Sequence, residues 1–461
     1  MENDLLFSEF EPISAKMWKQ KIQYDLKGAD YNATLVNETL EGIAIKPFYT
    51  AEDLQNLPKF KLSQNHQWNI GQRIDCEAAD LANTKALEVL NRGADALVFD
   101  LPHSTVHWSQ LLKAIDIKRV PIYFNFTFFE KDLIKGLIDQ IGNTPVSFFL
   151  NCDPIGDFAR KGNWHKSQTE DLQLVQEMLK WSTSESGIAP LCTDLSLYQN
   201  AGANIVQQLA YGLAHCNEYL QQYTTTFASL PLVTFKVGIG GNYFFEIAKI
   251  RALRWVWQSL AKAYSLPTAC HILAFPSRRN KTLYDYNVNM LRTTSESMAA
   301  ILGGADTVCN LPYDALYHKE NEFGERIARN QLLLLKEESY FDEAIGAAEG
   351  TYYIEALTHQ IAEKALALFK QIEASGGLIS ALRAGIIQKK IKESAAREQE
   401  LFDNGKLVLL GSNAYQNPED RMKGNLEINP FLAINRRKTA IAPIIEKRLT
   451  EEIEHKRLKD E

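Results

Sequence analysis

Eight short runs rich in apolar, β-branched or aromatic residues recur along the middle of the chain, at 68–74, 97–101, 122–126, 146–151, 190–195, 232–237, 269–275 and 307–311, most of them bounded by Pro, Gly, Asp or Asn. Between them lie longer segments in which apolar positions fall three and four apart. In 243–264, Phe244, Ile247, Ile250, Leu253 and Val256 keep that spacing. Short apolar runs bounded by turn residues predict strands, and the 3.6-residue period predicts helices. Strands alternating with helices wind into a parallel sheet, because each parallel crossover needs a covering element. Eight is the number that closes a (β/α)8 barrel, a TIM barrel of the α/β class.

Further helices are predicted over 203–219 and 289–302, the second stopped by Gly303-Gly304 ahead of the eighth strand. Residues 1–66 hold one helix near 14–26 and then an extended stretch with Gly42, Pro47 and Pro58, which reads as an N-terminal arm wrapping its own barrel or a neighbour. The barrel is assigned to 67–345. A mainly helical C-terminal region follows over 346–461, with helices at 355–374 and 378–402 separated by Gly376-Gly377 and an apolar run at 407–410. Over 436–461 the chain is charge-dense, and Ile444, Ile445, Leu449 and Ile453 at helical spacing predict a solvated terminal helix that packs one stripe.

With 57 acidic against 50 basic groups and the two interleaved, no basic stripe is available for nucleic acid. The longest apolar runs are strand-sized, far short of the ~20 residues that cross a bilayer. Glu2, Asp4, Glu9 and Glu11 do not form the basic start of a signal peptide, so a cytoplasmic location is expected. Six cysteines stand apart, with no C-x-x-C pair. Cys152, Cys192, Cys270 and Cys309, in or beside apolar runs, read as small buried hydrophobes, not as a zinc or disulfide framework.

In a parallel barrel the reacting groups hang from the C-terminal ends of the strands. The polar residues there are Asp75, Asp100, His103, Asn125, Asp153, Asp194, Arg278, Arg279 and Asn310. Each also reads as a cap on the following helix or a loop residue satisfying backbone N–H groups. His103 and His107 are spaced to share a helix face but have no third ligand, so no metal site is assigned. No G-x-S-x-G elbow or phosphate-binding loop occurs, and Gly238-Ile239-Gly240-Gly241 marks only a tight turn at the barrel mouth.

Several stretches carry a family likeness. Asp25-Leu26-Lys27-Gly28-Ala29-Asp30-Tyr31, continuing through Glu38-Thr39-Leu40-Glu41-Gly42 to Lys46-Pro47, opens the match. Ala201-Gly202-Ala203, Phe245-Glu246-Ile247-Ala248-Lys249-Ile250-Arg251-Ala252 and Asn289-Met290-Leu291-Arg292-Thr293-Thr294 extend it. Arg326-Ile327-Ala328-Arg329-Asn330-Gln331 and Ile372-Glu373-Ala374-Ser375-Gly376-Gly377 keep the same order. From about residue 18 to about residue 415 the chain resembles the methylmalonyl-CoA mutase family, and in particular its small, non-catalytic subunit. That resemblance implies a barrel whose interior holds the pantetheine arm of an acyl-CoA. A separate flavodoxin-like domain carries adenosylcobalamin, and a radical rearrangement interconverts methylmalonyl-CoA and succinyl-CoA in propionate metabolism.

The departures from the family pattern are informative. The family takes its cobalt ligand from an Asp-x-His-x-x-Gly motif, whereas this chain has no Asp-x-His, and beyond residue 350 its only histidines are His359 and His455. The expectation is therefore no cobalamin-binding domain and no cofactor bound by this chain alone, with adenosylcobalamin on a large subunit. The family's first strand carries Ile-Arg-Gln-Tyr, with the tyrosine over the acyl group; here Ile70-Gly71-Gln72-Arg73 places Arg73 there. The pattern Ser-Gly-Tyr-His-x-x-Glu-Ala-Gly-Ala becomes D-L-S-L-Y-Q-N-A-G-A over 194–203, with Leu197 at the position of the histidine that bonds the thioester carbonyl. Losing such a donor typically costs ~3 kcal/mol in the transition state, about a hundredfold. After strand seven, Arg278, Arg279 and Lys281 are candidate contacts for a CoA phosphate. No residue is assigned as catalytic.

The resemblance then implies the small subunit of a heterodimer, inactive alone, that serves assembly and stability of the catalytic large subunit, with residues 1–60 reaching across. One alternative is a catalytic acyl-CoA mutase barrel that borrows a cobalamin domain from a separate polypeptide. Another is an acyl-CoA-binding or chaperone-like protein. The bulk of the side chains facing the barrel axis discriminates among them.

Overall fold

In the computed structural model, residues 9–11, 13–58, 67–103, 105–142, 144–181, 187–223, 232–343, 346–432 and 437–461 are described. Two short strands of the arm, β1 (Asn37–Glu38) and β2 (Ala44–Ile45), pair antiparallel. The main sheet is parallel and contains β3 (Asn69–Asp75), β4 (Ala96–Leu101), β5 (Ile122–Phe126), β6 (Phe148–Asn151), β7 (Ile188–Ala189), β8 (Leu191–Asp194), β9 (Val233–Ile239), β10 (His271–Pro276) and β11 (Thr307–Cys309). Its order is β7-β6-β5-β4-β3-β11-β10-β9-β8.

β7 and β8 are one barrel strand interrupted at Pro190, which has no N–H to give to a ladder. The first piece pairs with β6 and the second with β9, so the chain itself closes an eight-position ring. All eight predicted runs are thus barrel strands. They read as nearly continuous apolar segments because helices cover one face and the barrel interior the other.

The helices Ile205–Tyr223, Tyr243–Ala263 and Val288–Gly303 belong to the outer layer, close to the predicted bounds. The helix Tyr243–Ala263 buries Phe245, Ile247, Ile250, Leu253, Val256 and Trp257; Phe244, on the other side, is half exposed. A Cβ at Gly303 would lie 2.7 Å from the Ile250 Cβ, so glycine lets the two helices approach. Gly304 then takes φ 93° and ends the helix as predicted.

Two predicted elements differ. The 378–402 segment is two helices, Gly377–Arg383 and Ile386–Asp403, broken where Gly385 adopts φ +72°. In the terminal region only Glu451–Asp460 is helical, and 433–436 lie outside the described residues. Residues 437–450 form instead an irregular strap across the C-terminal end of the barrel. Ala440 and Ile441 donate N–H groups to the Gly162 carbonyl, Ile444 to Ala159, Lys447 to Asn200 and Leu449 to Arg279. The N–H groups of Ile444, Lys447 and Leu449 are thus spent on other elements rather than on carbonyls four residues back, which is why the periodicity of Ile444, Ile445 and Leu449 does not produce a helix.

In the arm, Ser14 caps the helix Ala15–Asp25, its Oγ accepting the Met17 N–H at 3.2 Å. That helix buries no residue. The rest of the arm docks on its own chain: Ile43 is buried, Asn204 Nδ2 of the barrel donates to the Leu40 carbonyl at 2.9 Å, and Tyr49 packs on Tyr353 of the C-terminal region. No described helix is long and apolar enough to cross a membrane.

Candidate functional site

Strand register places Asp75, Asp100, Asn125 and Asn151 side by side at the ends of β3 to β6. Asn151 Nδ2 donates to Asn125 Oδ1 at 2.8 Å, and Asn125 Nδ2 to Asp100 Oδ1 at 2.6 Å. The other Asp100 oxygen accepts from Arg73 Nε, which fixes that guanidinium at the mouth with Asp75 4.0 Å away. Across the barrel, Asp194 faces Lys236 at 3.6 Å and Arg160 at 3.0 Å and accepts from the Ser196 hydroxyl. Burial opposes its charge, but Lys236 and Arg160 outweigh it and hold the carboxyl at about 2. Asp153 acts as the cap that the sequence allows, accepting the Gly156 N–H at 2.9 Å at the start of the helix Pro154–Lys161. It also contacts His215 and Tyr219 in a buried network. Burial raises its pKa, while His215 and the backbone N–H groups lower it further than burial lifts it.

Beneath this polar rim the axis is filled. Alternation along the strands points Val98, Tyr123, Phe149, Leu273 and Cys309 inward, and they form a buried cluster separate from the barrel–helix core. The Tyr123 hydroxyl lies 2.6 Å from His271 Nε2 and 2.7 Å from Thr307 Oγ1. Phe149 stacks on Tyr123 with ring centroids 4.5 Å apart and on His271 at 4.1 Å. Complete burial pushes the Tyr123 phenol well above its usual pKa, so it remains a hydrogen-bond donor.

A cavity of about 660 Å³ remains above the plug, displaced toward β3 and β11. Phe275 forms its floor, lining it while packing on the axial cluster. Asp75, Arg278 and Asn310 reach this cavity, so the structure brings together three of the residues singled out at strand ends, and Arg73, singled out by the family pattern, joins them. Arg278 is exposed at the mouth and has no ion-pair partner among the described residues. Asn310 is turned to local work, donating to the Ala328 carbonyl and Gln331.

Of the three basic residues read as phosphate contacts, Arg278 alone faces this space. Arg279 bonds Glu398 at 2.6 Å and the Lys447 carbonyl at 2.7 Å. Lys281 is buried against Glu296 at 2.7 Å. Leu197 is wholly buried in the helix Ser196–Asn200 and does not line the cavity. His103 and His107 both precede the short helix Trp108–Leu111, so they share no helix face. All six cysteines are buried and unbridged, and no metal-binding cluster of His, Cys, Asp or Glu occurs among the described residues. Sequence reasoning missed Tyr123, His271 and Lys236. Their only signal was inward parity along strands whose pairing was not yet known.

The methylmalonyl-CoA mutase family model matches residues 139–459. The chain is 34% identical over 450 residues to the methylmalonyl-CoA mutase small subunit of Porphyromonas gingivalis, covering 90% of this chain and 72% of that protein. It is 28% identical to the methylmalonyl-CoA mutase small subunit of Streptomyces virginiae, covering 86% of this chain and 69% of the other. To the mitochondrial methylmalonyl-CoA mutase of Bos taurus it is 36% identical, covering 89% and 62%. The chain thus spans roughly two thirds of the length of these relatives.

Proposed function

Because the chain belongs to the methylmalonyl-CoA mutase family, we propose that it is the small, non-catalytic subunit of a two-subunit, adenosylcobalamin-dependent mutase interconverting methylmalonyl-CoA and succinyl-CoA. Its work is to assemble and stabilise a large catalytic subunit. Two of the relatives carry the name small subunit, which supports the reading.

The observation that carries it is the filled axis. A thioester threaded along a barrel needs an open channel, and Tyr123, Phe149 and His271 occupy that line as a stacked, hydrogen-bonded layer. Removing a packed aromatic costs about 3–5 kcal/mol, and a threaded substrate would have to displace a whole layer of them. Arg73 is engaged by Asp100, and Leu197 offers no donor to a carbonyl. The same observation weighs against the alternatives of a catalytic barrel with a borrowed cofactor domain and of an acyl-CoA carrier.

The residues present do not fit a corrin. Cobalt coordination needs a free imidazole, whereas beyond the barrel His359 packs edge-on against Trp255 and His455 stacks on Phe431 with centroids 3.6 Å apart, and at the mouth His318 is held by Asp314 at 3.1 Å and packs on Tyr317. The 437–450 strap lies over part of the mouth, where a corrin would have to approach. In this reading the cofactor and its chemistry reside on the large subunit.

Co-expression with a cobalamin-binding large subunit, followed by size-exclusion chromatography, tests the proposal. A stable one-to-one complex is expected, together with no turnover by the lone chain supplied with adenosylcobalamin. Two unassociated proteins, or turnover by the chain alone, overturns it.

A further inference from the structure

The plug leaves the 660 Å³ cavity closed toward the barrel axis, with Phe275 as its floor. The volume lies within the range of small-molecule sites. Most charges on its wall are already matched. Lys85 bonds Glu320 and Glu325 at 2.7 and 2.6 Å, Arg73 is held by Asp100, and Arg329 donates to Gln72 at 3.0 Å. Arg278 faces the same space with no carboxylate in ion-pair range among the described residues. Beside it lie apolar surfaces that remain partly or largely exposed: Phe275, Leu311, Leu81 and Ile428.

We propose that this cavity is a binding site for a small organic monocarboxylate, with the carboxylate on Arg278 and the apolar body against Phe275, Leu311 and Ile428. A guanidinium presents paired N–H donors that match a carboxylate. One negative charge suits the site because the wall carries as many carboxylates as basic side chains. Asp75 and Glu320 stand among them and would repel further charge, so a polyanion such as coenzyme A is disfavoured. The ligand enters from the C-terminal face, independently of the axial route that a threaded thioester requires.

Isothermal titration calorimetry on the full chain with hexanoate tests the site. One-to-one binding is expected, with affinity falling at least tenfold in Arg278→Gln, because a charge-assisted pair is removed. Hexanamide keeps the shape without the charge and should bind at least tenfold more weakly. Ile428→Asp, at a position 37% exposed, should lose hexanoate by a similar factor with an unchanged unliganded melting temperature. Absence of binding, equal hexanoate affinity in Arg278→Gln, or tighter binding of coenzyme A or orthophosphate than of hexanoate overturns the proposal. The subunit reading is judged by complex formation and survives any of these results.

Discussion

Asp194 shows how one residue at the rim couples stability to pH. Arg160 and Lys236 hold its carboxyl at about 2, against a usual value of 3.8. A depressed folded-state pKa means that on acidification the unfolded chain binds the proton first. The stabilisation is therefore complete above pH 4 or so and is lost as pH falls toward 2. The shift corresponds to about 2 kcal/mol. Urea unfolding of Asp194→Asn should accordingly show an acid limb flatter than that of the unaltered protein by about that amount between pH ~4.5 and ~2. Equal slopes would mean that the cations do not favour the charged form. At this scale a motif singles out Arg73 and Leu197; the structure puts Arg73 on the cavity wall and Leu197 in the core, away from it. The Tyr123–His271–Thr307 contact was not legible in the sequence. Its members are far apart in sequence and meet only when the ring of strands closes.

The strands were the most legible elements, since burial on both faces leaves an apolar run that composition alone betrays. The terminal strap was the least legible. Its isoleucines keep a helical period, but its backbone donors go to Gly162, Ala159 and Asn200, acceptors at the C-terminal ends of two helices far away in sequence. The plug belongs to this scale too, because it exists only as a layer shared by β5, β6, β10 and β11. Phe149→Ala removes the ring stacked on both Tyr123 and His271 and should cost about 3–5 kcal/mol in denaturant unfolding, as other large-to-small core changes do. The opened axis should still give no turnover in the lone chain, because Arg73 and Leu197 are unaltered. Turnover by that variant would assign the loss of activity to the plug alone. A cost below ~1 kcal/mol would mean that the layer is loosely packed.

At the scale of the whole molecule, the helix Ala15–Asp25 carries an apolar face that the described residues leave uncovered. It buries none of its residues, yet it exposes Met17, Trp18 and Tyr24, with Ile13 just before it. Among the described residues its ties to the rest of the protein include an Ala15 N–H bond to Glu52, an edge contact of Trp18 with Phe48 and the Lys19 ammonium 4.6 Å from the Tyr31 ring centroid. Exposed apolar faces are candidate association surfaces, and under the proposed function the large subunit is the partner to test against this one. The two possibilities separate cleanly in energy. If the helix serves only its own chain, Trp18→Glu should lower the stability of the isolated protein and leave complex formation intact. If it grips the large subunit, the isolated protein should change by no more than ~0.5 kcal/mol, because the side chain is already half exposed. Loss of a tryptophan anchor at an interface costs about 2 kcal/mol or more, so the complex should then weaken roughly thirtyfold. Calorimetric titration of the large subunit with each form, set beside their thermal melts, distinguishes these outcomes. An unchanged dissociation constant would move the interface elsewhere, leaving the arm's remaining contacts, such as Asn204 to Leu40, as fastenings within a single chain.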